Sequence, residues 1–131
     1  MPVTHPTPGT LDQGAPYHHV AVGTGTTQVQ VAGQVGSQGA ESGGLGDQVV
    51  GALRNVATGL GSAGATFADV VRLTFYVVGW QPAMMAELME GVGRAADELG
   101  FALPLPPSSL IGVEALFDAH TLVEMAATAV R

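Results

Sequence analysis

Between Val70 and Val78 the chain alternates: Val71, Leu73, Phe75 and Val77 fall on one side, and Val70, Arg72, Thr74, Tyr76 and Val78 on the other. A period of two over so long a run predicts a strand, the strongest in the sequence. Val20 and Val22 predict a short strand near the start, and Val29, Val31 and Val35, set among Gln28, Gln30, Ala32 and Gln34, predict a second. The stretch Gly23-Thr24-Gly25-Thr26-Thr27 between them reads as a hairpin turn. It begins like a dinucleotide fingerprint, but Gln28 stands where the third glycine belongs and a strand follows instead of a helix, so that reading fails.

After a loop from Gly36 to Gly46 the period changes. Asp47 opens a helix, and Val49, Leu53, Val56 and Leu60 form its apolar stripe to about Gly61. Gly51 and Gly59 weaken this helix by up to about 1 kcal/mol each, a cost that close backbone approach can offset. A second helix is predicted from Pro82 to Leu99, with Met85, Leu88, Val92, Ala95, Ala96 and Leu99 as its stripe and Glu90–Arg94 as a surface pair. Prolines 104, 106 and 107 then mark the entry to a strand from Ser108 to Leu116. Phe117 to His120 form a polar turn, and Thr121 to Val130 the last strand. The order is β-β-α-β-α-β-β, an α+β fold in which two helices cover one face of a mixed sheet. Residues 1–14, rich in Pro, Thr and Gly, are expected to be a flexible segment before a single domain spanning 15–131.

Composition adds a demand that the pattern alone does not make. The chain is 47% hydrophobic and only 11% charged, yet its helices cover one sheet face. The other face still carries valines and alanines, so self-association through it is expected. No apolar run approaches the length of a membrane span. The N-terminus has neither a basic nor an apolar signal region, and there is no cysteine for disulfides or metal. A cytoplasmic location is expected on these grounds. Net charge is −7, with Arg54, Arg72, Arg94 and Arg131 as the permanent cations, which argues against nucleic acid as a partner.

Glu124 is the residue to explain. It lies in the last strand on the side of Leu122, Ala126, Thr128 and Val130, where a charge is costly unless it is paired or reaches water. It could position or deprotonate a water, or it could be a structural carboxylate paired with Arg72 or held at a subunit interface. Ser108 and Ser109 lack the positioned base that a nucleophile needs, so polar lining suits them better than covalent catalysis. His18 and His19 are adjacent and point to opposite sides of an extended chain, which rules out joint chelation of one metal in the usual way. His120 reads as a turn residue and His5 as part of the tail. Met84, Met85, Met89 and Met125 read as adaptable packing, and Trp80 has no assigned role.

Taken together, several segments resemble the Rid family, the reactive enamine/imine deaminases also known as YjgF-like or L-PSP endoribonuclease proteins. They are Ala15-Pro16-Tyr17, Val31-Ala32-Gly33-Gln34-Val35, Ala52-Leu53-Arg54-Asn55-Val56, Gly64-Ala65, Asp69-Val70-Val71-Arg72-Leu73-Thr74, Pro106 to Val113 and Val123-Glu124. The similarity spans about residues 15–130. It implies a chorismate-mutase-like α+β fold and a homotrimer whose sheets line a central barrel, with three small-molecule clefts between subunits and no cofactor. Active members hydrolyse imines and enamines such as 2-aminoacrylate to 2-keto acids and ammonia. Tyr17, Gly33 and Glu124 match cleft positions of the family, which implies a catalytic Glu124 with Tyr17 and Gly33 at the ligand. His18 is a further cleft-lining candidate beside Tyr17.

The pattern departs from the family where the substrate carboxylate is gripped. Ser108 occupies the position of the arginine in a Pro-Ala-Arg-Ser-like segment, Leu110 that of a frequent cysteine, and Leu88 falls near a cleft asparagine. Ser108, Ser109 and Leu110 remain the ligand-binding candidates there. Hydrogen bonds to a charged group are worth about 1.5–3 kcal/mol each, and an arginine clamp makes two. Its loss weakens capture of a small carboxylate by about a hundredfold or more. The chain therefore reads either as an enzyme on an imine, enamine or related metabolite, or as a non-catalytic trimer that binds a metabolite or a protein partner.

Overall fold

The computed structural model of the chain describes residues 3–36 and 43–131. Part of the expected 36–46 loop, residues 37–42, lies outside the described residues. In chain order the elements are β1 (Val3–Thr4), β2 (Val22–Gly23), β3 (Gln28–Val35), α1 (Leu45–Ser62), β4 (Val70–Val78), α2 (Met85–Leu99), β5 (Ser108–Val113) and β6 (Val123–Val130). Short 3-10 turns, Phe67–Asp69 and Pro82–Met84, lead into β4 and α2. The four long strands form one sheet in the order β3-β6-β4-β5. β6 pairs antiparallel with both β3 and β4, whereas β5 runs parallel to β4.

The α+β class and the two helices are as the periodicity predicts. Two pairings are not. Val22–Gly23 pairs with Val3–Thr4 in a separate two-stranded ribbon, so the hairpin expected between the first strands does not form and β3 lies against the last strand instead. Within the segment expected to be flexible, Val3 is thus hydrogen-bonded strand and 5% exposed. The strands flanking the 117–120 turn are not neighbours either, because β4 lies between β5 and β6. Period-two patterning says which residues share a face but not which strand is adjacent, and long-range pairing decides the latter.

The core follows from the stripes. Val49, Leu53, Val56 and Leu60 of α1 are fully buried over β3 and β6, and α2 packs on α1 through Leu88, Val92 and Ala95. Full burial of each such Val or Leu is worth about 1.5–3 kcal/mol. At Gly51 α1 comes close to the end of β3: a Cβ there would lie 2.6 Å from the Gly36 Cα. The helix cost of this glycine is therefore the condition for close approach.

One buried polar residue fastens the start of β6. Gln48 is 1% exposed, yet its amide donates to the Gly43 and His120 carbonyls at 3.1 and 3.0 Å. Its carbonyl accepts from the Leu122 amide at 2.8 Å. Asp118 orders the turn just before, its Oδ1 accepting from the His120 and Thr121 amides and the Thr121 hydroxyl at 2.8, 2.8 and 3.0 Å.

Candidate functional site

Alternation along β4 and β6 divides the sheet. Leu73, Phe75, Val77, Val123, Met125 and Ala127 face the helices and are buried. Thr74, Tyr76, Glu124, Ala126 and Thr128 face away from them and are half-exposed, with Arg72 fully exposed beside them. Glu124 lies on this open face, paired with Val35 of β3 on one side and Tyr76 of β4 on the other. Register along β3 shifts between Val31 and Gln34, the kind of irregularity that re-aims side chains. Gly33 lies within it.

The Glu124 side chain occupies the space that a side chain at position 33 would need. A Cβ built on Gly33 would overlap Oε2 and lie 2.5 Å from the carboxyl carbon. The absence of a side chain at Gly33 is what lets the carboxylate lie across β3. No ion pair involves Glu124 among the described residues. Arg72, its candidate structural partner, instead donates to the Ser109 hydroxyl. The result is a half-exposed acid lying against the bare backbone of Gly33.

The other candidates gather elsewhere. Tyr17 bridges Leu105 in parallel, its neighbours completing the link through His18 N–H to the Leu105 carbonyl at 2.7 Å and Leu105 N–H to the Pro16 carbonyl at 2.9 Å. Its ring meets His19 edge-on at 5.4 Å, while His18 stacks on His5 at 3.9 Å. Ser108 donates to the Pro106 carbonyl at 2.7 Å. Ser108 and Leu110 pair with Leu73 and Phe75, on the helix-side face, whereas Ser109 pairs with Thr74 on the open face. Glu124 and Ser108 therefore project from opposite faces of the sheet and cannot converge within this chain. Trp80 packs beside Gly112 at the β5 edge.

Leu88 requires a correction. It is 3% exposed, in the core between the helices, and cannot line a cleft. Its place in the apolar stripe of the second helix already pointed inward. Gln48 and Asp118, which set the approach to Glu124, were not singled out by the sequence. An amide on an apolar stripe and an Asp three residues before a Thr were the available signals. Among the described residues no His/Asp/Glu cluster has the geometry to hold a metal ion, and no helix is long and apolar enough to cross a membrane.

A mixed four-stranded sheet with two helices on one face makes this an α+β domain. The family model described as Endoribonuclease L-PSP matches residues 9–131, and the chain belongs to that family. Among solved structures it resembles YyfB of Yersinia pestis, a protein of unknown function in the conserved Rid family, at 32% identity over 100% of both chains with a TM-score of 0.82. Rv2704 of Mycobacterium tuberculosis, a member of the YjgF/YER057c/UK114 family, is 31% identical over 98% of this chain and 99% of its own, with a TM-score of 0.64. Escherichia coli TdcF, solved with bound serine, is 25% identical over 95% and 93%, with a TM-score of 0.67. A search of curated proteins finds no match.

Proposed function

We propose that this chain acts as a homotrimer with a small-molecule cleft at each seam between subunits, where Glu124 handles the protons of a hydrolysis at a C=N or enamine carbon. The observation that carries this reading is the Glu124 carboxylate laid over Gly33 on the sheet face away from the helices, with no ion pair among the described residues. Since Ser108 projects from the other face, a site holding both needs a second copy, which the semi-apolar open face is suited to receive. TdcF supports a small polar ligand by its bound serine.

In the proposed reaction Glu124 takes a proton from water as its oxygen bonds to the imine carbon, the C=N electron pair moves to nitrogen, and Glu124 delivers that proton to the nitrogen. The resulting carbinolamine collapses as Glu124 carries the hydroxyl proton to the amine, the C–N bond breaks, and a carbonyl and ammonia leave. Tyr17, Ser108, Ser109 and the main chain at Gly33 and Leu110 would orient the ligand. A positioned acid–base contributes about 10²–10⁴-fold. The endoribonuclease name does not fit as readily, because an acidic chain with four arginines lacks the charge that phosphate binding draws on.

A second reading is a binding trimer without turnover. It is favoured by Ser108, whose hydroxyl is already engaged by the Pro106 carbonyl and supplies no cation for a carboxylate. Ammonia release from freshly generated 2-imino acids separates the two. The enzyme reading expects release above background that falls about 10²-fold or more in Glu124→Gln. Equal, background-level release in both proteins leaves the binding trimer. Gain of turnover in Ser108→Arg shows an intact scaffold that lacks only the clamp. A monomer by light scattering defeats both.

A further inference from the structure

The N-terminal ribbon lies over a cavity of about 790 Å³ that includes none of Gly33, Ser108 or Glu124. Val3, His5 and His18 form one wall, and Leu60, Phe67 and Phe101 lie among the residues of the others. The segment over it is held lightly. β1 is two residues long and, among the described residues, pairs with β2 alone and has Val3, at 5% exposure, as its one deep anchor. Its other fastening is the His5 ring, stacked on His18 at 3.9 Å and only 14° from parallel. The Nε2 of His5 is closed off from solvent and finds no hydrogen-bond partner among the described residues.

We propose that Val3–His5 is an acid-released strap: protonation of His5 frees the N-terminal ribbon and widens access to the cavity beside Phe67 and Phe101. A neutral imidazole pair stacks without charge, and its apolar ring faces suit the wall they form. Adding a proton to His5 places a cation on a buried nitrogen with nothing to accept its hydrogen, directly against the face of the His18 ring. Among the described residues no carboxylate forms an ion pair there. Asp69, on the 3-10 turn, is engaged by the Thr66 amide at 2.9 Å. Arg131, whose guanidinium would lie 3.2 Å from a Cβ on Gly64, has the wrong sign. The cavity residues of α1 and of 99–106 carry no titratable side chain. From the 12–19 loop, His19 meets the Asp12 carbonyl at 2.6 Å and Tyr17 packs on His19.

Burial first, and the charge of His18 second, hold the His5 imidazolium below its ordinary range. The docked strap therefore binds fewer protons than the released one. Docking is fully favoured above the ordinary imidazole value of 6.5 and weakens as pH falls from there through the lowered docked value. Each pH unit separating the two values changes the docked-to-released ratio about tenfold.

The test uses the whole chain in solution, following His5 and His18 ring protons and the β1–β2 amides by NMR between pH 7.5 and 5. The expected result is a His5 midpoint below 6.5, with amide protection at Val3, Thr4, Val22 and Gly23 lost in step and ring shifts at Phe67 and Phe101. His5→Phe keeps a flat ring that cannot be protonated and should hold the ribbon across the range. Should His5→Phe prevent folding, His18→Phe serves the same purpose by removing the second charge, raising the His5 midpoint and narrowing the window. A His5 midpoint at or above 6.5, protection that persists to pH 5, or equal loss in a folded His5→Phe protein overturns the proposal.

Discussion

The two faces of the central sheet are built on the same strands, the same pairing and alternate residues, yet they have opposite characters. On the helix side Leu73, Phe75, Val77, Val123, Met125, Ala127 and Ala129 are 0–3% exposed. On the other side Thr74, Tyr76, Glu124, Ala126 and Thr128 keep part of their surface in water, and Arg72 is exposed. The first face is completed by its own chain and leaves no room for polarity. The second is not covered by the helices, so it can hold a carboxylate and a guanidinium in contact with water at moderate cost.

The sharpest way to break that comparison is to remove volume from each face in turn. Met125→Ala should cost about 2–5 kcal/mol, because a fully buried side chain leaves a cavity between β6 and the helices. Ala126→Ser, its neighbour on the open face, should change stability by no more than about 0.5 kcal/mol. Denaturant unfolding of both variants measures the contrast, and equal losses would show that the faces do not differ as described.

Somewhat smaller, about 2–4 kcal/mol, should be the cost of Gln48→Leu. The volume is kept, but the Leu122 amide loses its partner, at about 1–3 kcal/mol for a buried group left unsatisfied, while the carbonyls of exposed Gly43 and His120 can turn to water and add less. Hydrogen exchange should quicken first at Leu122, where the chain enters the strand that carries Glu124. Unchanged exchange there would mean that the Gln48 side chain does not fasten the site.

Gly33→Ala sharpens the comparison on the open face itself. The new methyl meets the Glu124 carboxyl, and overpacking of this kind costs about 1–3 kcal/mol. In a Glu124→Ala background the same change should be nearly neutral, so a double-mutant cycle should return a coupling of about 0.5–3 kcal/mol. Additive losses would separate the two residues and remove the basis for treating them as one site.

How much of this was legible follows the same division. Most of the helix stripes and the 72–78 part of the long strand read directly from periodicity, because burial selects side chains at a fixed spacing. Met85 of the second stripe is instead 42% exposed, and a register shift between Val70 and Arg72 buries Val70 on the side opposite to the one expected. Glu124 stood out because a charge in an apolar strand is conspicuous, and its face followed from alternation. Gly33 drew notice only through family resemblance, since a bare backbone position carries no sign of which side chain will cross it. Strand order was not readable. Val22–Gly23 found Val3–Thr4, and β4 came between β5 and β6, through contacts that local pattern does not encode. Gln48 stayed hidden because its partners, at 43, 120 and 122, are backbone groups brought together only by the fold.

The smallest expected effect concerns the turn that delivers the chain to the open face. The His120 amide, then the Thr121 hydroxyl, and the Thr121 amide hold the Asp118 carboxyl below the usual carboxylate range. A carboxyl with a lowered folded-state value binds fewer protons folded than unfolded. Its contribution is therefore fully present above the unfolded Asp value and lost as pH falls through the folded one. Asp118→Asn should accordingly be less stable than the parent at neutral pH, with the gap closing as pH drops below the ordinary aspartate range. The side chain is exposed to solvent, so the gap should be smaller than that of any core variant and should leave the helix-side packing untouched. Parallel thermal unfolding of both proteins across pH 7 to 2.5 checks the sign: a gap that widens on acidification would mean that protonated, not ionised, Asp118 holds the turn that leads to Glu124.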